Sequence, residues 1–200
     1  MRLIAEKLGA ERGGEMIFAG VSFALGDGEA LVVSGSNGAG KTTLLRVIAG
    51  LLRENSGSVT LDGGTDEKVA AQCHLLGPQN AMKAALSVHE NLAFWQAFSG
   101  VPHLGVEEAL DKVGLSGLGE TPFAYLSTGQ KRRVAIARLL LSHRPVWLLD
   151  EPTSGLDDGA AAKFTQILQG HLGEGGIAVA ATHLPLELAG ARELRMEVAG

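Results

Sequence analysis

Cysteine is almost missing from this chain of 200 residues, and the lone Cys73 leaves no partner for an internal disulfide. That usage fits a reducing compartment. Long apolar runs are missing too: none approaches the ~18–20 residues that span a bilayer. The first twelve residues carry Arg2, Glu6, Lys7, Glu11 and Arg12 and no apolar segment, so no secretory signal is expected. Basic charge is not in excess. Seventeen Lys and Arg against 22 Asp and Glu give a net charge of −5, which argues against nucleic acid as the main partner. There is no internal repeat, no low-complexity segment and no recognisable linker. What is abundant is glycine, 28 residues of 200, about twice the usual ~7%. It has no third-residue period, so it points to tight backbone turns and not to a collagen-like chain. With 46% apolar residues the chain can bury a sizeable core. Its length fits one domain over 1–200.

Short apolar runs alternate with helical periods, the signature of an α/β sheet. Ala30 to Ser34 reads as a buried strand, followed by a helical period from Lys41 to Leu52. Strands are expected at Ser58 to Leu61 and Gln72 to Leu76. Ser87-Val88-His89-Glu90 matches a capping box that opens a helix through Phe98, with Leu92, Trp95 and Phe98 expected on its inner face. Further helices are expected over Val106 to Val113 and Ser127 to Ser142, and one ending at Gly173. Val146 to Leu149 and Gly176 to Ala181 read as buried strands, and Arg192 to Val198 as an edge strand. The stretch from about residue 80 to 144 looks more helical than its flanks.

Three local patterns carry chemistry. Gly35-Ser36-Asn37-Gly38-Ala39-Gly40-Lys41-Thr42 fits G-x-x-x-x-G-K-[ST] and lies between a strand and a helix, the context that gives it meaning. Small residues let successive backbone N–H groups close around phosphate oxygens, and the helix adds its positive end. Lys41 supplies a point charge to phosphate and is expected to lack a partner without it. Thr42 offers a hydroxyl to Mg²⁺, and Thr43 follows in the same turn. The dinucleotide pattern G-x-G-x-x-G is absent. The second pattern is Asp150-Glu151 at the end of an apolar strand, where α/β sheets bind ligands. Asp150 suits Mg²⁺ and Glu151 suits activation of an attacking water. The third is Leu126-Ser127-Thr128-Gly129-Gln130 ahead of Lys131-Arg132-Arg133. It is either another anion-binding helix end or a plain capping box of Ser127 with Gln130.

Together these motifs resemble the ATP-binding-cassette ATPases over nearly the whole chain. Leu126 to Gln130 is similar to the family signature L-S-G-G-Q, with Thr128 in place of the first glycine. Gln79 matches the family's glutamine loop, Asp157 closes a stretch like its S-A-L-D, and His183 matches its switch histidine. The other five histidines have no motif context and are expected to be solvated. Cys73-His74 makes a poor metal ligand set.

The resemblance implies a P-loop NTPase core with an antiparallel β subdomain and a helical signature subdomain of about 80–144. It implies ATP and Mg²⁺ as ligands, with Thr42, Gln79 and Asp150 toward the metal and Glu151, His183 and Gln79 as catalytic groups. It also implies a head-to-tail pair of chains. In such a pair the loop Gly35 to Thr43 of one copy and Ser127, Gly129 and Gln130 of the other enclose one ATP, with Asp157 nearby. An aromatic residue that normally stacks on adenine is replaced by Glu11-Arg12-Gly13-Gly14, leaving Arg12 as the group able to stack. That departure, with Leu76 to Lys83 and Leu86 to Trp95, is similar to the branch whose cassettes power the bacterial haem exporter of cytochrome c maturation. The branch implies a peripheral protein on the cytoplasmic face of the inner membrane. It would bind integral membrane permease subunits through the segment after Gln79, with no nucleic acid and no direct hold on cargo. A P-loop kinase would account for the phosphate loop but not for Leu126 to Gln130 or Glu151.

Overall fold

The computed structural model describes residues 1–65, 68–184, 186 and 188–197, and its contacts divide the chain into two units. The first takes Met1–Leu75, Arg144–Pro152 and the chain from Gln169 onward. Strand β1 (Arg2–Arg12) pairs antiparallel with β2 (Glu15–Gly26) on one side and β4 (Ser56–Asp62) on the other. No local period announces β1 and β2. Leu3 and Ala5 point inward, but a bulge at Lys7 (φ +47°) shifts the register, so that Leu8 and Ala10 also point inward. One extra residue turns a period-two pattern into an irregular one.

The second sheet of this unit is parallel and runs in the order β5 (Cys73–Leu76), β6 (Val146–Asp150), β7 (Ile177–Ala181), β3 (Ala30–Ser34), β8 (Arg192–Arg195). Every residue of β6 and β7 is buried, as central strands covered on both faces require. Helix α1 (Lys41–Ile48) packs against β6 and β7. Its Leu44, Leu45 and Ile48 are at most 2% exposed, each contributing about 1.5–3 kcal/mol by burial. The helix stops four residues short of Leu52. Gly50 sits at φ +66°, with Gly50 N–H donating to the Val47 carbonyl and Leu51 N–H to the Arg46 carbonyl. This is a glycine-terminated helix end that leaves Leu51 68% exposed. β8 is an edge strand as expected; Val198 lies outside the described residues.

The second unit takes Leu76–His143 and Thr153–Leu168. It holds α2 (Val88–Ser99), α3 (Val106–Lys112), α4 (Thr128–Ala137) and the start of α5 (Asp158–Gly173). The capping box at Ser87 forms: Glu90 N–H donates to Ser87 Oγ at 3.1 Å and Ser87 N–H to Glu90 Oε2 at 2.7 Å. Of the three residues expected on its inner face, Leu92 is fully buried, Trp95 half-buried and Phe98 73% exposed. Phe98 stacks on Phe94 one turn earlier, on the outer face. α4 tightens into a 3₁₀ turn at Arg138–Leu140 instead of running on to Ser142. Past that turn the free end carbonyls are taken up by another segment: Leu104 N–H donates to Leu140 O and His103 N–H to Leu141 O.

Candidate nucleotide site

The phosphate loop is shaped by glycine at three positive-φ positions: Gly35 (+139°), Gly38 (+87°) and Gly40 (+90°). Two of these are also forced by space. A Cβ at Gly35 would come within 2.2 Å of the Met196 carbonyl oxygen, and one at Gly40 within 2.8 Å of Ile17 Cγ2. Ser36, Asn37 and Gly38 are exposed, and Ala39 is fully buried beneath them. Gly40 precedes α1 with no side chain capping the helix. The first-turn N–H groups of an α-helix have no partners within the helix, so this end presents donors to an anion. Thr43 is half-buried in that turn.

Lys41 is 9% exposed and is partnered by the loop itself. Its Nζ donates to the carbonyls of Gly35 (2.7 Å) and Ser36 (3.0 Å). The expectation of a partnerless ammonium is therefore corrected, because a buried charge recruits the nearest acceptors. Thr42 Oγ1 donates to Asp150 Oδ2 at 2.8 Å across 108 residues of sequence, and Asp150 is 5% exposed. The hydroxyl and the carboxylate are both hard oxygen groups, the chemistry that suits a divalent cation.

Glu151 follows Asp150 with φ +46°, a backbone region that costs a non-glycine residue on the order of 1–3 kcal/mol. Its N–H donates to Ala181 O at 2.8 Å, tying the turn to the end of β7. Its carboxylate lies 2.9 Å from His183 Nδ1 and accepts from His183 N–H at 3.4 Å. The sequence-expected residues Gly35 to Thr43, Asp150, Glu151 and His183 thus belong to one unit. Arg12 is also in it, exposed as the last residue of β1 before the Gly13-Gly14 turn.

The remaining expected residues lie in the other unit. Gln79 is exposed in the loop after β5. Ser127 caps α4: Gln130 N–H donates to Ser127 Oγ at 3.2 Å and Ser127 N–H to Gln130 Oε1 at 2.8 Å. A Cβ on Gly129 would stand 3.1 Å from the Gly155 carbonyl, which keeps this position small. Asp157 Oδ1 accepts from Ala160 N–H at 2.8 Å in the first turn of α5. Two of the histidines expected in solvent are not there. His74 is buried, and His171 stacks on Trp147 at 4.0 Å between ring centroids. Burial pushes the half-buried Cys73 thiol up to about 12, which disfavours the thiolate. Sequence reasoning missed Met196 and Ile17 beside the loop glycines, which no local pattern could place there.

Residues 18–154 match the family model described as ABC transporter. The chain belongs to that family. It is an α/β cassette that binds and hydrolyses ATP as the motor component of a transporter. A cytochrome c biogenesis ATP-binding export protein of Mesorhizobium japonicum is 63% identical, with all of both chains covered. The protein of the same name in a Chelativorans species is 59% identical over 98% of each. Among solved structures, a dimeric ATP-binding cassette in a post-hydrolysis state with ADP and Pi is 25% identical. It covers 98% of this chain and 96% of its own, at a TM-score of 0.82. Among the described residues no helix of this cassette is long and apolar enough to cross a membrane.

Proposed function

We propose that this cassette is the ATPase subunit of the exporter serving cytochrome c biogenesis, with haem as the cargo moved by its membrane partners. The observation that carries the ATPase chemistry is the joining of Thr42 to Asp150 and of Glu151 to His183 beside one phosphate loop. The backbone N–H groups of Gly35 to Thr43 cradle the phosphates, and Lys41 exchanges its two carbonyl partners for phosphate oxygens. Glu151 orients and deprotonates the attacking water, a role supported by its place directly after β6 with its carboxylate against His183. His183 holds that carboxylate in place. The Thr42–Asp150 pair fits Mg²⁺, which binds through one or two protein oxygens, substrate phosphate and water. When bound, the ion neutralises charge on the β- and γ-phosphates. Gln79 joins this set, and Arg12 stacks on the base.

The working unit is two copies arranged head to tail, Ser127, Gly129, Gln130 and Asp157 of one serving the nucleotide of the other. The likeness to a dimeric cassette supports this arrangement. The pair binds peripherally to permease subunits at the cytoplasmic face of the inner membrane and makes no contact with cargo or nucleic acid. The segment from Gln79 to Trp95 and the turn beyond it form the permease contact. Phe94 and Phe98, 55% and 73% exposed, support that surface. Deleting the gene should leave apocytochromes made but without covalent haem, and the Glu151→Gln chain should assemble at the membrane without restoring them. Normal c-type cytochromes in the deletion strain, with no second copy of the gene, would overturn the export assignment and leave a generic transporter ATPase.

A further inference from the structure

The loop that carries Gln79 has no helix or strand of its own between Gly77 and Ser87, yet its backbone is fastened at both ends. Arg132, 5% exposed on α4, donates from Nη1 to the Gly77 carbonyl at 2.7 Å, 55 residues away in sequence. Trp95 Nε1 donates to the Ala81 carbonyl at 2.9 Å, where Ala81 is held at φ +56°. The Arg138 guanidinium, at the end of α4, lies 4.6 Å from the Trp95 ring centre. Farther along, the buried Asn91 accepts from Lys83 N–H and donates to the carbonyls of Lys83, Leu86 and Ser87. Two arginines of one short helical segment therefore grip the loop, one directly and one through an indole. Burying like charges close together is costly. Burial and then the Arg132 charge lower Arg138 to about 10.

We propose that Arg132, aided by the Arg138–Trp95 pair, is a positioning residue that makes the Gln79 loop move with the signature end of α4. Ser127 and Arg132 lie within one and a half turns of a single helix, so a displacement of the capped end is carried rigidly to Arg132. The charged hydrogen bond passes it to Gly77, two residues before Gln79. The partner copy's nucleotide, bound at Ser127, thereby sets where this copy's Gln79 stands. This rests on the reading of Ser127 and Gln79 proposed above.

Amide hydrogen exchange on the full chain in the Glu151→Gln background, with and without Mg-ATP, tests it. In that parent protein, Mg-ATP should slow exchange both in the first turn of α4 and over residues 77–83. Adding Arg132→Met should keep the slowing at α4 and reduce that of the loop by about tenfold, as loss of a charged hydrogen bond predicts. Arg132→Lys should restore part of it. In the Glu151 enzyme, Arg132→Met should lower kcat with KM for ATP within about twofold, the split left by losing an interaction that acts after binding. Where Arg132→Met does not fold, Trp95→Phe, which keeps an aromatic ring and loses the indole N–H, should release residues 81–83 from the response. Loop slowing unchanged in the variant that folds overturns the proposal. No slowing at α4 in the parent protein overturns the shared-site reading, and this tie with it.

Discussion

The two glycine-bearing helix entrances of this chain look alike in sequence and differ in how the helix end is capped and in what surrounds it. At α1 the residue before the helix is Gly40, which has no side chain to offer, and the first-turn donors stay available to phosphate. At α4 the residue before the helix is Ser127, and its capping box with Gln130 satisfies part of that end internally. Around α1 stand Asp150, Glu151 and His183; around α4 stand an exposed Ser127 and small residues packed near Gly155. The first entrance gathers its phosphate loop, carboxylates and histidine in one unit. The second presents the hydroxyls of Ser127 and Thr128 beside Gly129, with nothing like the Thr42–Asp150 and Glu151–His183 pairs at α1 among the described residues. That asymmetry fits the proposed site assembled from two copies.

The largest effect should come from the first entrance. Glu151→Gln keeps the shape and removes the base, lowering ATP turnover by roughly 10²–10⁴-fold while ATP still binds. Sizing chromatography in Mg-ATP should then show a pair of chains that separates when nucleotide is removed.

Lys41→Ala should lower turnover by on the order of 10²–10³-fold and weaken ATP binding, measured by steady-state hydrolysis and by nucleotide titration. Because Lys41 also holds the carbonyls of Gly35 and Ser36, the empty variant should melt below the wild type. Near wild-type hydrolysis would dismiss the difference drawn between the two entrances.

Ser127→Asp sharpens the comparison. Aspartate caps a helix about as well as serine, whereas alanine costs about 0.5–2 kcal/mol there. Thermal melts should therefore rank Ser127→Asp near wild type and Ser127→Ala below it. Hydrolysis by Ser127→Asp should nevertheless fall about tenfold or more, because the carboxylate faces phosphate across the pair. Full activity in Ser127→Asp would reduce α4 to an ordinary capped helix.

The smallest effect belongs to the hairpin tip. Arg12→Ala should raise KM for ATP about two- to fivefold with kcat unchanged, a stacking loss confined to binding.

Much of this was legible in the chain because it is written contiguously. The phosphate loop, the Asp150-Glu151 strand end and both capping boxes each occupy a few consecutive residues, and their local geometry follows from residue type. The first hairpin was hidden because the Lys7 bulge breaks the alternation that marks a strand. The end of α1 was misjudged because an apolar Leu51 and Leu52 continue the period past a glycine that stops it. The supports of the site were out of reach for another reason. Met196 against Gly35 depends on the parallel register of β3 with β8, and Arg132 on Gly77 joins residues 55 apart. Neither pairing leaves a local trace.

The central claim is that Ser127 serves the nucleotide of another copy, and mixing two dead chains measures it directly. A Glu151→Gln chain has no base, and a Ser127→Arg chain has no signature hydroxyl, so each alone should hydrolyse ATP at background rate. In a mixed pair, the Ser127→Arg copy supplies an intact phosphate loop and Glu151, and the Glu151→Gln copy supplies Ser127 to it. Mixing should therefore restore turnover, rising with the product of the two concentrations to about half the wild-type rate per pair, one of two sites being whole. A mixture that stays at background while both chains bind ATP would contradict the shared site and confine each nucleotide to its own chain.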